Sequence, residues 1–206
     1  MTHRKLAVVT SGLGQPSSTR LLADRLAAAT DRALGDQGED LSVRVIELRD
    51  HAHDLTNNLL TGFAGDDLRA AIDTVVEADG LIAVTPIFSA SYSGLFKTFF
   101  DVLDDDVLAG KPVLIAATAG TARHSLALEH ALRPLFSYLK AMVAPTAVFA
   151  ASEDWGGVGG AGDRALADRI DRAAGELAGL IAGRDRRAPV DPFAAPTPFE
   201  DLLAGR

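Results

Sequence analysis

The sequence contains no cysteine. Disulfides, thiolate metal sites, iron–sulfur clusters and cysteine nucleophiles are therefore excluded, and the chain suits a reducing compartment. Basic residues are not in excess: 20 Lys and Arg stand against 28 Asp and Glu, a formal net charge of −8. Nucleic-acid affinity rests largely on phosphate neutralisation, so no nucleic-acid partner is expected. Long apolar runs are lacking too. The run at residues 6–9 is too short for a secretion signal or a membrane span. No membrane association and a cytoplasmic location are the resulting expectations. Aromatic residues make up only 6% of the 206 positions, so the core must be built mainly of Leu, Val, Ile and Ala. What remains is ordinary for one compact domain: 48% hydrophobic and 23% charged residues.

Short apolar runs alternate with segments of helical period. Residues 6–10 read as a buried strand that stops at Ser11-Gly12. Leu22, Leu26, Ala29 and Ala33 follow at helical spacing until Gly35 and Gly38. Residues 42–48 alternate as a second strand, and residues 51–65 show no period and read as loop. A helix is expected over 66–78, with Leu68, Ile72, Val75 and Val76 on one face and Asp66 and Asp67 at its positive end. Residues 80–84 form the third strand, and a helix opens at Ser93 or Gly94 and runs through Phe99 to Leu103. The fourth strand is 113–117 and the fourth helix 125–141. The fifth strand is 143–150, where Pro145 predicts a bulge or an edge. The fifth helix is 164–181.

Five βα units with continuously apolar strands imply a parallel sheet covered on both faces. Rossmann and flavodoxin-like windings both satisfy this pattern, and both bind ligands beyond the carboxyl ends of the strands. With no sixth strand, the favoured fold class is α/β, a flavodoxin-like three-layer sandwich whose five-stranded parallel sheet has the order 2-1-3-4-5. The domain is expected to cover 1–183. Residues 184–206, with Pro189, Pro192, Pro196 and Pro198, read as an extended C-terminal arm.

The loop after the first strand runs Ser11-Gly12-Leu13-Gly14-Gln15-Pro16-Ser17-Ser18-Thr19. Its Gly-x-Gly, with Glu47 ending the second strand, is a partial dinucleotide fingerprint. Ser17 stands where the third glycine should be, Pro16 stiffens the loop, and no Gly-Lys-Ser/Thr follows for a Walker loop. Three consecutive hydroxyls at a helix amino terminus suit a phosphate monoester such as that of FMN. A plain N-cap by Ser17 or Ser18 accounts for one hydroxyl with no ligand at all.

Two further polar loops fall on the same edge. Thr85-Pro86-Ile87-Phe88-Ser89-Ala90-Ser91-Tyr92 mixes apolar groups with donors, as a flat heteroaromatic ring requires. Thr118-Ala119-Gly120-Thr121-Ala122-Arg123-His124 offers close backbone approach at Gly120, with Thr121 and His124 in reach of ring carbonyls. Each alone also reads as a capped βα turn. Residues 79–86, Tyr92-Ser93-Gly94-Leu95-Phe96-Lys97-Thr98, Gly120-Thr121 and His124 resemble the NAD(P)H-dependent FMN reductases. The resemblance is greatest to the reductase components of two-component flavin monooxygenase systems. The 11–20 segment resembles the actinobacterial branch that partners luciferase-like monooxygenases. The resemblance covers roughly residues 6–150. It implies that Ser11, Gln15, Pro16, Ser17, Ser18 and Thr19 surround the FMN phosphate. It also implies that Pro86, Ile87, Phe88, Ser89 and Tyr92, with Thr118, Ala119, Gly120, Thr121 and His124, frame the isoalloxazine. Many members carry an arginine in the first loop where this chain has Leu13 and Gln15, which predicts looser phosphate binding.

Pro134 inside the fourth helix cannot donate to the His130 carbonyl, so a kink or π-type bulge is expected near His130. The resemblance implies a one-residue insertion here, at a subunit interface near the flavin. His130 is therefore a candidate for oligomer contact and flavin release, or else a surface histidine on a kinked helix. His51-Ala52-His53-Asp54 lacks a further ligand cluster, and no metal site is expected. The glycine run 156–160 reads as a connection, and Trp155 as a cover for flavin or nicotinamide or a subunit contact. The favoured activity is direct hydride transfer from NADPH or NADH to FMN, which needs no catalytic protein group. A separate monooxygenase would receive the reduced flavin, and a homodimer or homotetramer is implied. The rivals are an FMN-retaining quinone or azo reductase and a flavodoxin-type electron carrier.

Overall fold

The computed structural model describes residues 3–155 and 161–184. Strands β1 (His3–Thr10), β2 (Asp40–Glu47) and β3 (Gly80–Phe88) pair in parallel, and a short β4 (Ser91–Tyr92) folds back antiparallel on β3. Strand β5 (Pro112–Ala119) lies on the other side of β3. Both β6 (Met142–Val143) and β7 (Val148–Ala151) pair in parallel with β5. The long strands thus run β2-β1-β3-β5, and two short strands share the fifth place. This is the expected flavodoxin-like winding with one change: the single fifth strand predicted over 143–150 is broken in two. Pro145 sits in the break, where a ladder donor would be missing. The Arg133 guanidinium satisfies the carbonyls there, donating to Ala144 at 3.2 Å and Pro145 at 3.0 Å.

Side chains alternate between the two faces of every central strand. Leu6, Val8, Ile82, Val84, Leu114 and Ala116 pack on α1 (Ser18–Gly35) and on the last helix, Ala161–Ala182. Ala7, Val9, Leu81, Ala83, Val113 and Ile115 pack on the other helical layer. That layer contains α2 (Ala52–Thr61), α3 (Asp66–Glu77), α4 (Gly94–Asp101) and α5 (Arg133–Tyr138); the last helix is therefore α6. The second layer holds a cluster of phenylalanines. Phe96 lies 4.8 Å from Phe100 and 6.2 Å from Phe136, ring to ring, and Tyr92 of β4 lies 5.9 Å from Phe96.

Residues 51–65, expected as loop, instead contain the last residue of a 3-10 turn (Leu48–His51) and all of α2. Only Leu55 and Asn58 of α2 are buried, too few to print a helical period. Gly62, with φ 76°, ends the helix in the left-handed region. Strand β3 continues through residues read as loop, because Pro86 interrupts the pattern without breaking the pairing with Thr118. The expected helix 125–141 is irregular, as Pro134 requires. A 3-10 turn (Ala122–His124) leads to a π turn (Leu128–Leu132), and only then to α5. The Arg133 amide donates to the Leu128 carbonyl five residues back. His130 lies in that π turn and is exposed.

At the amino edge of the sheet Lys111 is 2% exposed. Its Nζ donates to the carbonyls of Val75 at 2.5 Å, Val76 at 2.9 Å and Ala78 at 2.9 Å, closing the end of α3. Burial, reinforced by Arg184 and opposed by Asp79, pushes this ammonium down to about 8. The 156–160 glycine run and the 185–206 part of the expected arm lie outside the described residues. Among the described residues no helix is long and apolar enough to cross a membrane.

Candidate functional site

The doubly wound order brings the ends of β1, β3 and β5 side by side, and buried hydroxyls tie these ends together. Thr19 Oγ1 lies 2.8 Å from Thr118 Oγ1, joining the start of α1 to the end of β5. Ser93 Oγ donates to Ser11 Oγ at 3.1 Å, and the Ser93 amide donates to Thr85 Oγ1 at 3.1 Å. Ser11, Thr19, Thr85, Ser93 and Thr118 are all at most 3% exposed. The three loops that the sequence singled out are therefore one constellation.

Within the first loop, Ser17 is the N-cap of α1, its Oγ accepting from the Arg20 amide at 3.2 Å. The plain-cap reading is correct for Ser17, which is half-buried, while Ser18 is exposed and Thr19 buried. Gly12 is required by close approach. A Cβ there would lie 2.1 Å from Ser17 Oγ and 3.1 Å from Thr19 Cβ. Such tight folding of loop onto helix amino terminus leaves free N–H groups for an anion.

The other loops present a more open surface. Pro86 is buried and Ile87 half-buried, while Phe88 and Ser89 are exposed and Tyr92 is half-buried. The β3–β4 turn is made by Ser89 and Ala90 at φ 48° and 68°, a hairpin geometry that glycine and asparagine usually supply. Ala119 is half-buried, and Gly120, Thr121 and His124 are exposed beyond β5. The π turn carrying His130 packs against β4. Trp155 packs against the α1/α6 core with Arg25 over its ring, 5.2 Å from the centroid.

Sequence reasoning missed Arg20 and Arg49. Glu47, which a dinucleotide site would use for ribose, instead accepts from Arg20 Nη1 at 2.5 Å and has Arg49 Nε at 3.3 Å. Arg49 reaches the first loop, its Nη1 donating to the Gly14 carbonyl at 3.4 Å. With the Gln15 carboxamide turned oxygen-first, Nη1 also donates to it at 2.8 Å, and Nη2 contacts the same oxygen. The signal was available: Arg49 follows the carboxyl end of β2, which neighbours β1. Among the described residues, two buried side-chain polar atoms lack a hydrogen-bond partner, Thr10 Oγ1 and Arg49 Nε. Both residues border the first loop. The donor set and the Gly12 cradle fit an FMN phosphate.

Together, the winding and the three joined loops define a mononucleotide-binding α/β protein of the flavin oxidoreductase class. The family model of NADPH-dependent FMN reductases matches residues 4–156. The FMN reductase (NADPH) of Pseudomonas aeruginosa is 38% identical over 180 residues, covering 87% of this chain and 94% of that protein. The NADH-dependent FMN reductase SfnE of Pseudomonas putida is 35% identical over 74% of this chain and 80% of its own length. An oxidoreductase from Corynebacterium diphtheriae superposes with a TM-score of 0.86 at 49% identity, over 90% of this chain and 100% of that one. The chain belongs to the NADPH-dependent FMN reductase family and is an NAD(P)H:FMN oxidoreductase.

Proposed function

We propose that this enzyme takes FMN as a substrate, reduces it with a nicotinamide nucleotide and releases reduced flavin to a separate monooxygenase. The observation that carries the reading is a site assembled in advance yet open. Its loops are joined by buried hydroxyls, while Ser18, Phe88, Ser89, Gly120, Thr121 and His124 remain exposed. Hydride passes directly from nicotinamide to flavin, so the chain's own task is to hold two flat rings in contact. The first loop, residues 11–19, holds the phosphate; Pro86, Ile87, Phe88, Ser89 and Tyr92 support one side of the ring, and Thr118 to Thr121 with His124 line its edge. The active form is a cytoplasmic homodimer or homotetramer.

Steady-state oxidation of NADH and NADPH, with free FMN, a quinone and an azo dye as alternative acceptors, tests this reading. Saturable turnover with free FMN is expected. Turnover confined to the quinone or dye, with FMN retained through gel filtration, would establish an FMN-retaining reductase instead. The π turn bears on release, because it packs on the hairpin and contains the exposed His130. Deleting His130 restores regular helical geometry. It is expected to tighten FMN binding and slow turnover with free FMN; unchanged FMN affinity would refute that role.

A further inference from the structure

The first loop contains no cationic side chain: between Ser11 and Thr19 the sequence supplies hydroxyls, glycines, Leu13, Gln15 and Pro16. A phosphate monoester carries up to two negative charges. Backbone N–H groups and a helix dipole stabilise it by partial charges only. The structure brings a full charge to the loop from a different element. Arg49 stands in the 3-10 turn after β2 and grips the loop at Gly14 and Gln15. Its side chain is only 20% exposed, so solvent screens its charge less than that of a surface arginine. Glu47 and Asp50 lie at 3.3 and 3.5 Å from Nε, yet Nε is left without a hydrogen bond. Glu47 is also bound to Arg20, which pairs with Asp24 in turn, so the two guanidinium groups are joined through Glu47.

We infer that Arg49 is a positioning residue for the flavin phosphate, fixing the first loop through Gly14 and Gln15 and setting a guanidinium beside a loop that has no cation of its own. The inference rests on the reading that FMN places its phosphate in this loop. Arg49 acts mainly through the loop. It donates to the Gly14 carbonyl and to the Gln15 carboxamide and so takes up acceptors of the loop, not its amides. The Arg20–Glu47–Arg49 chain then couples the start of α1 to the end of β2. Lysine can keep the charge but not the planar fork that reaches two acceptors at once.

The test compares FMN with riboflavin, which has the same ring and no phosphate. Dissociation constants for both are measured by flavin fluorescence on wild type, Arg49→Lys and Arg49→Gln, with far-UV circular dichroism and melting as fold controls. Wild type is expected to prefer FMN. Arg49→Gln should lose FMN affinity about tenfold or more, the scale of one charge-assisted interaction, and leave riboflavin affinity unchanged. Arg49→Lys should fall between. The salt dependence of FMN binding should flatten in Arg49→Gln. Equal losses for FMN and riboflavin, or no loss for FMN, overturn the role of Arg49 while leaving the phosphate loop in place. Absence of any FMN preference in wild type overturns the phosphate-loop reading and this inference with it. Should Arg49→Gln melt early, Gln15→Ala removes one of the two anchors without touching the charge. It is expected to weaken FMN less than Arg49→Gln and to keep the salt dependence; unchanged FMN affinity there would overturn the anchoring.

Discussion

Close to the sheet, the hydroxyls at the ends of β1, β3 and β5 are joined to one another, whereas farther out the β3 and β5 loops open onto solvent. Ser11, Thr19 and the Arg49 anchor are held by partners within the fold. Phe88, Ser89, Gly120, Thr121 and His124 are exposed, and the hairpin between β3 and β4 turns on two non-glycine residues of positive φ. A phosphate is the same in every flavin mononucleotide, so its site gains from being fixed beforehand. The ring must admit a second ring and then leave, so its surroundings gain from adaptability. The contrast continues beneath the site: aliphatic and alanine packing supports α1, while a cluster of phenylalanines supports the hairpin.

The largest expected effect comes from removing that aromatic support. Phe96→Ala should destabilise the fold by about 3–5 kcal/mol in urea unfolding. Hydrogen exchange should rise at residues 88–92 and 128–138 while the body of α1, residues 22–34, stays protected. Equal loosening of both ends would break the contrast.

Lys111→Met tests whether either end depends on the opposite edge of the sheet. It leaves three carbonyls without their donor, a loss of about 2 kcal/mol, with FMN affinity unchanged. Lys111 holds its proton to its ordinary 10.5 when the chain is unfolded but only to about 8 when folded. The unfolded state therefore binds more protons between those values, and wild-type stability should rise with pH across that window. The methionine variant should lack that rise in denaturant midpoints taken at pH 7.5 and 10. A fall in wild-type stability over the window would show that the carbonyl contacts outweigh burial.

Gly12→Ala addresses the rigid end. With no room for a Cβ, the loop must part from Ser17, and FMN affinity should drop about tenfold at similar fold stability. Ala90→Gly addresses the adaptable end and has the smallest expected effect. Relief of left-handed strain, about 1–2 kcal/mol, exceeds the added chain entropy, about 0.5–1 kcal/mol. A slight gain in melting temperature should accompany a higher KM for FMN, because the turn is no longer preset.

The elements visible in the sequence were those with a sustained period. The strands around Val8, Ile82 and Ile115 announce themselves as apolar runs, and α1 and α6 as long stripes. The π turn was legible because a proline inside a helix has one physical meaning. Hidden was α2, which buries too little to show a face; the fifth strand was half legible, since Pro145 announced a bulge or an edge but not the Arg133 side chain that completes the break. Arg49 was overlooked for another reason. Its role depends on β2 standing next to β1, a relation across 35 residues between Gly14 and Arg49 that only the sheet order supplies.

The π turn has one more consequence. Leu128, Leu132 and Phe136 all face the core, and between the first and last of them the Arg133 amide reaches back five residues where regular winding would reach back four. That surplus is stored locally, and the downstream helix keeps its rotational phase. A gene could therefore gain or lose a single codon at this place without scrambling the packing of α5. The hairpin side of the site is thus a spot where length itself can vary, while the phosphate end, closed on Gly12, admits no such change.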